Sequence, residues 1–473
     1  MRVLADRNHN LTIFTTHLFE HTYENVKLVH FNESMKINRE TVNQLTYTKS
    51  NILYQAYNEL KLYYKLTNQQ LGQSEMKKLI KEGKKNDYDL VILECYFFCP
   101  MMALAEIFDC PIIVLTAVEA CSPLTDILGA ETNPAIHPDK TFIPALHGRL
   151  TFFERIHAFF VHHGFHLVHK HIIGTINYFL MRKYLPDYTS MQGKIEDRVA
   201  LIFQNSLTTV KPILPNIIEL NSMHVYPPEP IDNSEMKNFL DASQNGVIFM
   251  CLGSFARSKD LDSRVIDTLA KTFASLPFEV LWKFEENLRN KSDNVMISPW
   301  LPQADILAHP NLKLFITHGG LMSTQEAIDR EVPMIILPIT YDQPSNANEL
   351  VDKGVACKMN LYTLTKETLS EAIDEMMKPR YRSKIRELRR LLQDQPMTSR
   401  EKAAWYTEFV IRNKGAKHLT YPVRKVPFYQ RHHYDIIFLM VISVYLTFKA
   451  TENIRKRFSP SRSMQHFVEK KND

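Results

Sequence analysis

Ten short apolar runs, separated by stretches of helical pattern, constrain this chain more than any other feature. Runs rich in Val, Ile, Leu and Phe lie at 11–15, 27–30, 89–93, 112–117 and 200–204. A second set lies at 247–252, 279–283, 295–298, 312–316 and 333–339. Continuous apolar character suits strands buried on both faces, as in parallel sheets. Parallel neighbours need crossover connections, and the intervening segments read as helices, for example 264–275, 321–330, 345–352 and 365–377. The expected fold class is therefore α/β, with doubly wound parallel sheets and helices on both faces. Between the two sets stands Val225-Tyr-Pro-Pro-Glu-Pro, a proline-rich linker that places a domain boundary near residue 230. Two such domains leave a cleft at the carboxyl ends of their strands, where ligands bind.

Composition removes several function classes. A length of 473 residues is too great for one ordinary core. A net charge of +5 is too mild to argue for nucleic acid. The six cysteines (95, 99, 110, 121, 251, 357) show no CxxC pattern and are too sparse for a disulfide framework. No G-x-G-x-x-G stands after an early strand, which argues against a dinucleotide enzyme.

The run at 312–316 leads instead into Thr317-His318-Gly319-Gly320, ahead of a helix beginning near Leu321. Glycines let the backbone approach a ligand, and a helix N-terminus offers free N–H groups and positive potential. A diphosphate fits there, with His318 able to donate a further hydrogen bond. Other residues nearby each carry two readings. Ser323-x-x-Glu326 is either a helix capping box or a pair of ligand contacts. Trp300 is either a core aromatic or an exposed ring that stacks on a base. Asp342-Gln343 before a proline is either a turn or a pair of contacts for sugar hydroxyls. Gly253-Ser254, after the run 247–252, is a weak signal by itself.

In order and wording, Trp300-Leu-Pro-Gln303, Thr317–Gly320, Ser323-x-x-Glu326 and Leu337-Pro-Ile-Thr-Tyr-Asp-Gln343 closely resemble the UDP-glycosyltransferase family, in its animal, membrane-bound branch. The resemblance extends over nearly the whole chain. It implies a GT-B arrangement of two Rossmann-like domains with a C-terminal membrane helix. It assigns Trp300 to the uracil face, Gln303 to uracil or ribose, and Glu326 to the ribose hydroxyls. His318, Gly319, Gly320, Ser323, Gly253 and Ser254 would hold the diphosphate, and Asp342 and Gln343 the hexose. Two positions depart from the family's pattern: Met322 where many relatives have Asn, and Glu331 where they usually have Gly.

The N-terminal half should supply the acceptor pocket and a general base with an orienting carboxylate. Tyr88-Asp-Leu-Val-Ile-Leu-Glu94 is similar to the family strand that carries that carboxylate, which makes Glu94 the orienter. The alternative is a strand-end carboxylate facing solvent. The base His of the family is not found. Val3-Leu-Ala-Asp-Arg-Asn-His9-Asn-Leu-Thr-Ile resembles the segment that normally comes after the first strand and its His, and His9 belongs to a structural position there. The expectation is a sequence cut at its start, lacking a signal peptide, that strand and the base. A defective relative is the other reading.

Residues 152–183 hold six histidines among Phe, Ile, Leu and Val. His162 and His166 share a helical face, but no carboxylate or Cys partner is in pattern, so no metal is expected. An amphipathic helix that touches a membrane or lines an acceptor pocket is the preferred reading. Near the C-terminus, 434–450 is apolar with basic flanks and reads as a single membrane span. The chain ends Lys470-Lys471-Asn472-Asp473, a dilysine retrieval signal, and sequons stand at Asn32 and Asn290.

The expected organisation is 1–230 acceptor domain, 231–415 donor domain and return helix, 416–433 linker, 434–450 span and 451–473 cytosolic tail. The expected protein is an endoplasmic-reticulum enzyme of detoxification with a lumenal body. It moves a hexose, glucose by preference over glucuronate, from a UDP-sugar to a hydroxyl of a small lipophilic acceptor, with inversion. It needs no cofactor besides the UDP-sugar co-substrate and no metal. Its partners are the two substrates and the membrane, with a homo-oligomer left open. A non-catalytic binder of UDP-sugar or lipophile on the same fold is the alternative.

Overall fold

The structure, a computed structural model, describes residues 1–17, 19–37, 52–130, 132–140, 150–207, 212–253, 256–288 and 291–458. Ser254, the sequon at Asn290 and the dilysine end lie outside the described residues. Met1–Thr420 form one compact unit, and the chain from Tyr421 onward forms another.

The first unit begins with helix α1 (Arg2–Asp6), then β1 (Leu11–Thr15) and β2 (Val26–His30), a parallel two-stranded sheet. Next come β3 (Val91–Glu94), β4 (Ile112–Thr116), α2 (Phe152–Leu167), α3 (Gly174–Tyr184), β5 (Val199–Gln204) and β6 (Ile217–Glu219). The strands β3 to β6 form a parallel sheet in that order. Among the described residues β1 pairs only with β2 and β3 only with β4, and the Tyr88 hydroxyl reaches between the two sheets to Thr12 Oγ1 at 3.1 Å.

The third sheet holds β7 (Val247–Cys251), β8 (Glu279–Lys283), β9 (Val295–Ser298), β10 (Leu312–Thr317), β11 (Met334–Ile336) and β12 (Ala356–Lys358). Helices α4 (Gln303–Leu307), α5 (Leu321–Asp329) and α6 (Gln343–Asp352) connect or flank its strands, whereas α7 (Ser399–Arg412) returns to pack on β4–β6 of the first half. Strand order is β12-β11-β10-β7-β8-β9, all parallel. In sequence order this is a doubly wound sheet whose direction of growth reverses between β7 and β10. That reversal is the switch point at whose carboxyl end ligands bind. Both central strands are fully apolar at their core positions because both faces are covered; every residue of β7 is buried. Phe249 and Phe315 stack across them with ring centroids 5.1 Å apart. Such a pair adds about 0.5–1.5 kcal/mol beyond area burial. Phe315→Ala would cost roughly 3–5 kcal/mol and loosen the strand that carries His318.

Eight of the ten expected runs pair over nearly their full length. The run 89–93 pairs two residues later, as Val91–Glu94, and 333–339 narrows to Met334–Ile336. Two strands were not expected, β6 and β12, each three residues long at a sheet edge.

Glu331 sits at φ 57°, the left-handed region that a glycine occupies without strain. Its carboxylate accepts from Arg386 Nε at 3.0 Å and from Arg389 at 2.9 Å. The chain thus carries backbone strain at this position together with a double ion pair.

The histidine-rich segment forms α2, a wider helical turn over Val168–Ile173, and α3. Phe152, Phe153 and Phe160 of α2 are exposed, whereas Ala158 and His162 are buried. The His162 and His166 rings lie 4.7 Å apart. Among the described residues, no three His, Cys, Asp or Glu side chains converge in a way that would hold a metal ion.

In the second unit, α8 (Tyr434–Phe458) has 25 residues and contains an 18-residue stretch of mean hydropathy 1.5, long and apolar enough to cross a membrane. It runs eight residues past the expected end at 450, because Thr451–Phe458 continue the helix with Glu452 and Lys456 paired at i,i+4.

Candidate active site

The carboxyl ends of β7 and β10 carry the two glycine-bearing loops that the sequence singled out. His318 comes directly after β10 and is 7% exposed. Its imidazole lies against the backbones of Gly253 and Gly320. A Cβ at Gly253 would stand 2.7 Å from His318 Cε1, and one at Gly320 would stand 2.6 Å from Nε2. Any side chain at either position would displace the ring. Burial, and then the Lys283 charge, lower the His318 pKa to about 4, so the ring is neutral at physiological pH. A neutral ring bears one N–H and acts on an anion as a hydrogen-bond donor, with no net charge.

Helix α5 starts at Leu321 with Gly320 as its cap residue, and no side chain caps it. Ser323 and Glu326 therefore lie inside the helix, and the capping-box reading is excluded. Instead Gln303, at the start of α4, donates through Nε2 to Ser323 Oγ at 3.0 Å and to Glu326 Oε2 at 2.7 Å. Three residues read from two separate motifs thus converge beside the N-terminus of α5. Burial raises the Glu326 pKa, and the Gln303 hydrogen bond opposes that shift only in part. Trp300 lies just upstream on the chain, 71% exposed, so its ring is open to stacking.

Asp342 and Gln343 begin α6. Asp342 Oδ2 accepts from Asn346 Nδ2 at 2.7 Å, and the same amide reaches Gly319 O at 3.0 Å. This ties the Asp342 loop to the His-Gly-Gly loop. Gln343 is buried, and its Oε1 accepts from the N–H groups of Ile339 and Thr340 at 2.8 and 3.0 Å. Its oxygen is therefore engaged in shaping the loop that presents Asp342.

In the N-terminal half, Glu94 ends β3 and is exposed, as the solvent-facing alternative has it, while neighbouring protein still raises its pKa by partial desolvation. Among the described residues no hydrogen bond joins it to a histidine. The phenol pKa of Tyr96, two residues on, is raised by burial and then by the negative charges of Glu94 and Asp342. His9 is engaged elsewhere, with Nε2 at 3.4 Å from Glu408 of α7.

Sequence reasoning missed several residues here. His224, in the linker, lies 3.0 Å from Met322 O and 3.9 Å from Glu326 Oε1. Burial lowers its pKa. Lys283, 7% exposed at the end of β8, pairs with Glu285 at 2.6 Å beneath the His318 loop. Asn205 and Gln325 bond across the two halves of the unit. The signal available was a polar residue at or just after the end of a mostly apolar strand, which applies to Lys283 and Asn205; His224 had none beyond its place beside the linker.

The comparisons with known proteins bear on the family and the fold. The chain matches the family described as UDP-glucoronosyl and UDP-glucosyl transferase over residues 2–468. It is 33% identical over 368 residues to UDP-glycosyltransferase UGT5 of Dactylopius coccus, covering 76% of this chain and 69% of that protein. It is 32% identical over 341 residues to UDP-glucosyltransferase 2 of the same organism, covering 68% of this chain and 65% of that one. The chain thus spans about two thirds of the length of these relatives. The solved structure of CalG4, the calicheamicin glycosyltransferase, superposes with a TM-score of 0.55 at 16% identity, covering 87% of this chain and 93% of that one. The fold is accordingly of the GT-B type, and this chain belongs to the UDP-glucoronosyl and UDP-glucosyl transferase family.

Proposed function

We propose that this chain transfers a hexose, by preference glucose, from a UDP-sugar to a hydroxyl group of a small lipophilic acceptor. The observation that carries the reading is the convergence of Gln303, Ser323 and Glu326 at the N-terminal end of α5, beside the buried His318 loop. A paired carboxylate suits ribose hydroxyls, and an uncapped helix N-terminus suits a diphosphate. Trp300 would cover the uracil, and Asp342 would accept from the hexose. The acceptor oxygen attacks the anomeric carbon, the bond from that carbon to the phosphate oxygen breaks, and UDP leaves with the electron pair. The configuration inverts, and the acceptor proton must pass to a general base, a role that the family resemblance gives to a histidine oriented by the carboxylate at the position of Glu94. Donor-side hydrogen bonds stabilise the leaving diphosphate. The preference for glucose leans on the printed name of UDP-glucosyltransferase 2, since the family description names both sugars. The apolar helix α8 supports a membrane-bound enzyme, which we place in the endoplasmic reticulum with its body lumenal.

The test is transfer in microsomes bearing the full chain, with UDP-glucose and UDP-glucuronate offered against phenol and steroid acceptors. Product mass identifies the sugar. A glucoside is expected. A glucuronide alone would overturn the sugar assignment. A second reading, binding without turnover, draws on the lack of a histidine bonded to Glu94 among the described residues. Tight UDP binding with no product from either donor would select it.

A further inference from the structure

We propose that Asn205 and Gln325 form a positioning contact that registers the donor helix against the acceptor sheet. The proposal rests on the transfer reading above and names a regulator of that site's geometry. Gln325 lies on α5 between Ser323 and Glu326 and is 2% exposed; Asn205 comes directly after β5 and is 8% exposed. Their amides bond reciprocally: Asn205 Nδ2 donates to Gln325 Oε1 at 2.9 Å, and Gln325 Nε2 donates to Asn205 Oδ1 at 2.8 Å. Each amide then makes one more bond into the acceptor half. Gln325 Nε2 reaches Ser206 O at 2.9 Å, and Asn205 Nδ2 reaches Ala117 O at 3.2 Å.

The consequence lies in the parts these groups join. Ala117 and Ser206 sit at the carboxyl ends of β4 and β5, and β4 is paired to β3, which ends in Glu94. On the other side, α5 carries Ser323 and Glu326, bonded to Gln303. A short rigid path therefore runs from the acceptor-side carboxylate through β4, Asn205 and Gln325 to the donor contacts. Every step in it is a backbone ladder, a helix or a buried two-way amide bond. Another bridge, Lys140 to Glu119 at 3.1 Å and to Glu349 at 3.2 Å, is a partly exposed ion pair with no directional fork. The amide pair, in contrast, fixes distance and angle, because each buried donor and acceptor is costly to leave unmade. Transfer needs the acceptor oxygen and the anomeric carbon in line, and a shift of about 1 Å can cost on the order of 100-fold in rate.

The experiment uses the full chain in detergent with Gln325→Ala, Asn205→Ala and the exchanged pair N205Q/Q325N. Isothermal titration with UDP, steady-state transfer from UDP-glucose and amide hydrogen exchange are measured on each. Expected for both single variants is a fall in kcat of about 10- to 100-fold with UDP affinity held within about twofold. The exchanged pair should recover most of kcat. Exchange at 117–120 and 206–207 should rise in the single variants with UDP bound. A parallel loss of UDP affinity would overturn the proposal, as would unchanged kcat or an exchanged pair no better than the singles. Should the unaltered chain bind UDP and transfer nothing, the transfer reading fails alone. The exchange measurement still decides the contact, since unchanged protection in Gln325→Ala refutes it. Should the single variants not fold, the exchanged pair carries the test by the same three readouts.

Discussion

At the scale of single residues, the decisive group is Glu326. It lies inside α5, not at its cap, so removing it should not unfold the helix. Glu326→Ala should lower affinity for UDP by about 1–3 kcal/mol, the range for charge-assisted hydrogen bonds, with little change in Tm. Calorimetric titration alongside thermal unfolding checks both halves of that statement. The raised Glu326 pKa adds a pH dependence. On the proposed reading, ribose hydroxyls would donate to the ionised carboxylate, so affinity should be complete above its pKa and lost as pH falls through it. Because the pKa is raised, the loss should begin above the ordinary glutamate value of about 4.3. UDP-glucose, whose phosphates do not titrate in this range, is the probe, and Glu326→Gln should bind it weakly with a flatter pH profile. His224 also faces Glu326, with its own pKa lowered by burial. Glu331 offers a prediction about stability. Glu331→Ala keeps the left-handed strain and loses both arginine partners, whereas Glu331→Gly loses the partners and releases the strain. The glycine variant should be more stable than the alanine variant by about 1 kcal/mol, read as a higher Tm. The reverse order would show that the strain is absent.

At the scale of elements, buried parallel strands were legible because coverage on both faces makes them continuous apolar runs. β7 and β10 are the clearest cases. β6 and β12 escaped because three-residue edge strands carry too few apolar positions to stand out from a loop. The candidate donor-site residues stand out in the sequence for a different reason. They are crowded into one stretch from Trp300 to Gln343, where glycines, an aromatic and a carboxylate fall at strand ends. The Ser323-x-x-Glu326 spacing alone fitted a helix cap equally well, and only the start of α5 at Leu321 separates the two. Asn205 with Gln325 and His224 with Met322 were not legible, since their partners lie about a hundred residues away and polar pairing leaves no periodic trace. α5 itself is the element on which the site depends. Gly320→Ala would place a Cβ 2.6 Å from His318 Nε2 and push the ring from its seat. Loss of UDP binding with the fold retained, measured by titration and circular dichroism, is the expected outcome.

At the scale of the whole molecule, the chain joins a water-soluble kind of architecture to one helix of a different kind. The residues of the donor site and Glu94 all lie within Met1–Thr420, whose sheets have their own buried cores. α8 belongs to the second unit and buries none of its described residues. Its apolar side chains are exposed from Ile436 to Leu446, with Phe438, Leu439 and Met440 each more than 60% exposed. At 1.5 Å per residue, its 18-residue apolar stretch spans about 27 Å, close to a hydrocarbon core of about 30 Å. Water is a poor solvent for such a surface, at roughly 25 cal/mol for each Å² of apolar area. The basic run Arg455-Lys456-Arg457 at its end would stay outside the lipid. On the proposed membrane reading this helix anchors the chain, and the catalytic unit does not need it to hold nucleotide. A chain ending at His433 should appear in the supernatant after alkaline carbonate extraction, where the full chain stays in the membrane pellet. Its affinity for UDP should match that of the full chain within about twofold, since no donor-site residue is removed. Retention of the shortened chain in the pellet would mean that another segment is embedded in lipid, the exposed aromatic face of α2 being the first to examine by Phe153→Ser and Phe160→Ser. A large loss of UDP affinity with the fold intact would mean instead that the second unit supports the donor site.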